Sequence, residues 1–172
     1  MRKSLILSVL CSMILVGCSV QNKQKEKQTE VSEVLVFSLA NADDKKEFSA
    51  LKLDDTHMNM LNPKIAKEKH EEALQSWTDI HVELNKFLHK EQFDWGIDDK
   101  RIKIFNKIYF QKDGQVKYYV YGIHADVSPE KVTAFGELAQ EFFTDQKISL
   151  TRDVDFAQCG KASLLNLKIQ QL

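Results

Sequence analysis

The stretch RIKIFNKIYFQKDGQVKYYVYGIH, Arg101 to His124, decides how the rest of the chain must be arranged. Two runs rich in isoleucine, valine and aromatics flank Lys112-Asp113-Gly114, and Asp-Gly between such runs signals a β-hairpin. Loop length follows from which residues must be buried. A two-residue loop sets Phe110 against Lys117. A three-residue loop, Lys112 to Gly114, sets Phe110 against Val116 and Ile108 against Tyr118, which keeps apolar side chains together. The longer loop is the reading adopted, with Gly114 in the left-handed position of the turn. Ile102, Ile104, Ile108, Phe110, Val116, Tyr118 and Val120 then share one face. Phe105, Tyr109, Tyr119, Tyr121 and Ile123 share the other, among Lys103, Lys107 and Lys117.

Each face needs a cover, and the two prolines of the chain mark where covers begin. Asn62-Pro63 and Ser128-Pro129 each join a capping residue to proline at the first helical position. Ala73, Trp77, Ile80, Leu84, Phe87 and Leu88 recur at three- and four-residue steps, predicting an amphipathic helix over about 63–90. Val132, Phe135, Leu138, Ala139 and Phe142 predict a second over about 129–145. EVLVFSL (Glu33 to Leu39), KISLT (Lys147 to Thr151) and Ala162 to Lys168 read as strands, and ADDKKEFSALKL (42–53) as a short helix. The fold class expected is α+β, an antiparallel sheet built on the 101–125 hairpin and packed with two amphipathic helices. The order hairpin, helix, strand, carried by IYFQKDGQV and the helix after it, resembles the C-terminal domain of TonB over residues 102–151. That resemblance implies a topology and no functional residue. This chain has neither a proline-rich linker nor a membrane helix ahead of the unit.

The N-terminus reads as a targeting signal. Arg2 and Lys3 precede an apolar core of twelve residues, Leu5 to Val16, too short to span a bilayer, which takes about 18. Leu15-Val16-Gly17-Cys18 resembles the lipobox of bacterial lipoproteins. The resemblance implies cleavage before Cys18, a diacylglyceryl group on its thiol and a further acyl chain, typically palmitate, on the new N-terminus. Two or three chains at about 0.8 kcal/mol per buried methylene hold a protein durably, where one does not. Ser19 after the cysteine fits sorting to the outer membrane, facing the periplasm, in a cell with two membranes. The expected organisation is a signal peptide at 1–17, lipidated Cys18 and a polar tether at 18–30 reaching about 20 Å, and one α+β domain at 31–172.

Loss of Arg2 and Lys3 with the signal takes the net charge from −1 to −3, and no basic concentration suggests a nucleic-acid partner. With Cys11 removed and Cys18 lipidated, Cys159 is the remaining thiol, so no internal disulfide is expected. Cys159 is read either as a reactive thiol or as a buried, inert one. Only Lys161 lies near it in sequence to favour a thiolate. The face carrying Phe105, Tyr109, Tyr119 and Tyr121 among lysines suits packing under the helix after Pro63, or an anionic or glycan ligand.

Metal leads are thin. His57-Met58-Asn59-Met60 offers an imidazole and two thioethers of the kind that suit reduced copper. His70, His81 and His89 are spaced too widely along one helix, and HEEAL at 70–74 departs from H-E-x-x-H at Leu74. The glycines occur singly, and neither a P-loop nor G-x-S-x-G is present. The acid pairs Asp43-Asp44, Asp54-Asp55 and Asp98-Asp99 fit turns and caps. No cofactor or metal is expected. The function expected is a lipid-anchored envelope module that binds a protein partner without catalysis. The alternative is an envelope enzyme or small-ligand binder using Cys159 or the aromatic–lysine face.

Overall fold

The computed structural model describes residues 33–166; the signal, Cys18, the tether and the last residues of the 162–168 strand lie outside them. The hairpin forms as strands β3 (Arg101–Phe110) and β4 (Val116–Ile123). Phe110 faces Val116, the loop closes through Gly114 N–H to the Gln111 carbonyl at 2.9 Å, and Gly114 takes φ +89. A side chain at Gly114 would meet the Ile148 carbonyl at 2.4 Å, so both conformation and space demand glycine.

Beyond the loop the register departs from the sequence reading. Lys117 is an extra residue in β4, so pairing passes from Phe110–Val116 to Tyr109–Tyr118 and places Ile108 against Tyr119 rather than Tyr118. A bulge of one residue sends every later side chain to the opposite face. Tyr119 and Tyr121 therefore join Ile102, Ile104 and Ile108 in the main core, while Tyr118 and Val120 join Tyr109 on the other side.

The sheet is mixed, not purely antiparallel. Its order is β1-β4-β3-β5-β2, with β5 (Phe156–Leu165) antiparallel to β3 along its whole length. The short edge strands β1 (Leu35–Ser38) and β2 (Met58–Asn59) pair parallel with β4 and β5. Edge strands added after a long crossover are free to run either way, and nothing in a short apolar run specifies which. KISLT forms no strand and makes one bridge, Lys147 to Gln115.

Both amphipathic helices lie on the isoleucine face, α3 (His70–Lys90) against β5 and α4 (Pro129–Thr144) against β4 and β1. This reverses the expected placement of the helix after Pro63, because the bulge moves Tyr119 and Tyr121 under the helices. That helix is also broken. Asn62 caps a single turn, α2 (Pro63–Ala66), after which Lys67 takes φ 49 and a 3-10 turn leads into α3. The stripe within α3 is as read, with Ala73, Ile80, Leu84 and Leu88 buried. Each of the isoleucine and leucine side chains contributes about 1.5–3 kcal/mol. Helix α1 (Ala42–Leu51), capped by Asn41, and the 3-10 turn Leu53–Asp55 cover one end of the opposite face.

Candidate functional site

Register lays the second face out in rows across β4, β3 and β5. The rows are Tyr118–Tyr109–Ala157, Val120–Lys107–Cys159, Gly122–Phe105–Lys161, and His124–Lys103–Ser163. The first two lie beneath α1 and the turn after it. Phe48 packs on Phe37 and Tyr109, and the Lys107 ammonium sits 5.6 Å from the centre of its ring. Asp54 binds two residues of β3, accepting from Tyr109 Oη at 2.7 Å and from Lys107 Nζ. Burial pushes the Asp54 carboxyl up, but the hydrogen bonds from Lys107 and Tyr109 with the Lys107 charge outweigh it and hold the group below the usual carboxylate range. The Tyr109 phenol is pushed far up by burial and by the same carboxylate.

Cys159 completes this cluster half-buried, with its backbone N–H and carbonyl bonded by the Asn59 side chain at 3.0 and 3.3 Å. Burial drives its pKa up; Lys107 opposes this and Asp54 reinforces it. A thiol so placed is protonated at neutral pH and is a poor nucleophile. His57 closes the end of the cluster, its ring edge-on to Tyr109 at 5.3 Å and its Nε2 4.0 Å from Asp155 Oδ2. The group is a polar latch that ties residues 53–57 to the sheet. Asp54 escaped the sequence reading because its partners lie 53 and 55 residues away and its neighbour Asp55 made a turn a sufficient account of both.

The sequence-read residues divide between the two faces. Phe105, Tyr109 and Cys159 share the latch side, whereas Tyr119 and Tyr121 are buried under α4. Tyr119 lies 4.3 Å from Phe143 between ring centres and donates to Asn106 Oδ1, and the Tyr121 hydroxyl reaches the Val132 carbonyl at 2.8 Å. Burial pushes both phenols up. Of the copper lead, Met58 is exposed and Met60 buried in the core. Among the described residues no group of three or more His, Cys, Asp or Glu side chains could hold a metal ion.

Of the hollows on the described surface, two flank these elements. On the latch side Leu39 reaches over Gly122, and beyond it Lys103, His124, Lys161 and Ser163, with Ile104 and Ala162, line a hollow of about 360 Å³. On the helix side a hollow of about 530 Å³ lies between β1 and α4, lined by Val36, Asp44, Tyr121, Thr133, Glu137 and Gln140 among others, with acids and no base in its wall. Beta1 is an edge strand. Leu39 N–H bonds the Tyr121 carbonyl, so alternation turns Val36 N–H and C=O outward, while Ser38 N–H is closed by Asp44 Oδ2 at 2.8 Å. Among the described residues no helix is long and apolar enough to cross a membrane. No family model, curated protein or solved structure matches the chain.

Proposed function

We propose that this chain is a lipid-anchored protein of the cell envelope, held in a cell with two membranes in the outer one facing the periplasm, that binds a protein partner without catalysing a reaction. The observation that carries the partner reading is the open edge of β1 beside the 530 Å³ hollow. Val36 offers a backbone donor and acceptor there, and the hollow receives the side chains of an added extended segment. Anchoring rests on the Leu15-Val16-Gly17-Cys18 motif after a charged and apolar leader. The protonated Cys159 thiol, held in a latch, favours binding over nucleophilic chemistry.

The test is growth with an alkyne-tagged fatty acid, followed by crosslinking in intact cells, for wild type and for Cys18→Ser with a conventional cleavage site. Wild type should carry the tag and capture one protein, and Cys18→Ser should carry none and capture less. A tagged Cys18→Ser, or equal capture by both, contradicts the anchored-module reading.

A further inference from the structure

We propose that the hollow bounded by Lys103, His124, Lys161 and Ser163 is a binding site for a phosphate group. It lies on the opposite face from the partner groove and stands independently of that reading. Lys103 faces Ser163 and Phe105 faces Lys161 across β3 and β5, so the two lysines occupy diagonal positions, about 7–8 Å apart at the backbone. His124 extends the Lys103 row, its N–H bonding the Lys103 carbonyl at 2.9 Å. One row further, Arg101 faces Leu165.

The lysine four residues along β3 shows what is missing here. Lys107 is neutralised by Asp54 and lies over Phe48. Lys103 and Lys161 have no ion pair, and the side chains of His124 and Ser163 no hydrogen bond, among the described residues. Like charges on a diagonal repel, and an anion set between them converts that cost into two charge-assisted contacts. A phosphate suits the set best: it carries close to two charges at neutral pH and three strong acceptor oxygens, enough to meet two ammonium groups, a hydroxyl and an imidazole together. Phe105, half-buried in the next row beside Gly122, offers an apolar surface adjoining the hollow on which the carbon skeleton of a phosphoester can rest.

The ester can come from a lipid headgroup or from a soluble phosphate, and the experiment separates them. Isotope-labelled full-length protein in non-ionic micelles is titrated with inorganic phosphate in one arm and with phosphatidic acid, whose headgroup is a phosphomonoester, added to the micelles in the other. Chloride at matched ionic strength is the control. The His124 ring and Ser163 amide signals are followed by NMR. The proposal expects saturable shifts in at least one arm, none with chloride, and at least a tenfold weaker response in Lys103→Gln/Lys161→Gln. Both lysines are exposed, so the double variant should fold, as its unchanged remaining spectrum will show. Response to phosphatidic acid alone assigns a headgroup, and response to inorganic phosphate assigns a soluble ester. Silence in both arms, shifts equal to those of chloride, or a double variant that responds like wild type overturns the site.

Discussion

His81 sits in a hydrogen-bonded chain with one allowed polarity. Its Nδ1 lies 2.7 Å from the Trp77 carbonyl, which can only accept, so Nδ1 carries the proton. Its Nε2 then accepts from Asn106 Nδ2 at 2.9 Å, and Asn106 Oδ1 accepts from the Tyr119 hydroxyl. All three residues are buried, and burial holds the His81 pKa below its ordinary 6.5. A second proton on His81 would set donor against donor. The unfolded chain takes up that proton below about pH 6.5 while the folded chain refuses it. The stabilisation from neutral His81 is therefore full above 6.5 and is lost as pH falls toward the lower folded value. Urea unfolding at pH 7.5 and 5.0 should show wild type losing stability on acidification, with His81→Gln losing less; equal losses would remove His81 from the account. Tyr119→Phe leaves the Asn106 carbonyl oxygen buried without its donor and should cost about 1–3 kcal/mol at neutral pH.

At the scale of elements, Gly136 of α4 sets two effects against each other. Glycine inside a helix is worse than alanine by about 0.5–1 kcal/mol, so Gly136→Ala should stabilise on propensity alone. A Cβ there would come within 2.7 Å of the Tyr121 hydroxyl, which is fixed on the Val132 carbonyl. The contact wins, because moving Tyr121 disturbs its edge-on packing against Phe135. Thermal unfolding should show Gly136→Ala destabilised by about 1–3 kcal/mol. In a Tyr121→Phe background the same change should stabilise, and a destabilisation there would mean that the hydroxyl is not the obstacle. The rules that worked from sequence were local ones of this kind: the caps at Asn62 and Ser128, the glycine-bearing turn at Gly114 and the stripe of α3. What escaped was set by distant groups. Nothing in Gln115-Val116-Lys117 announces a bulge, since the slip is decided by which tyrosines the helices bury. The candidate sites were legible to the same degree: the lysine spacing of β3 is plain in the sequence, but its partners on β5 and the latch from Asp54 belong to the tertiary fold.

For the whole molecule, the sheet separates two kinds of surface. One face carries both long helices and ends at the acidic hollow beside the edge of β1; the other is latched at one end and cationic and open at the other. Under the proposed anchoring, a polar tether reaching about 20 Å would let such surfaces meet a neighbour without loss of attachment. Photocrosslinking in intact cells tests the proposed partner groove at single residues. A photoreactive amino acid at Thr133, in the wall of the hollow, is compared with one at Leu74, which is 39% exposed on α3. One protein captured from Thr133 and not from Leu74, and lost when Glu137→Lys reverses a charge of the hollow, is the result predicted. Capture that is equal from the two positions, or indifferent to Glu137→Lys, would contradict the groove as the partner's seat.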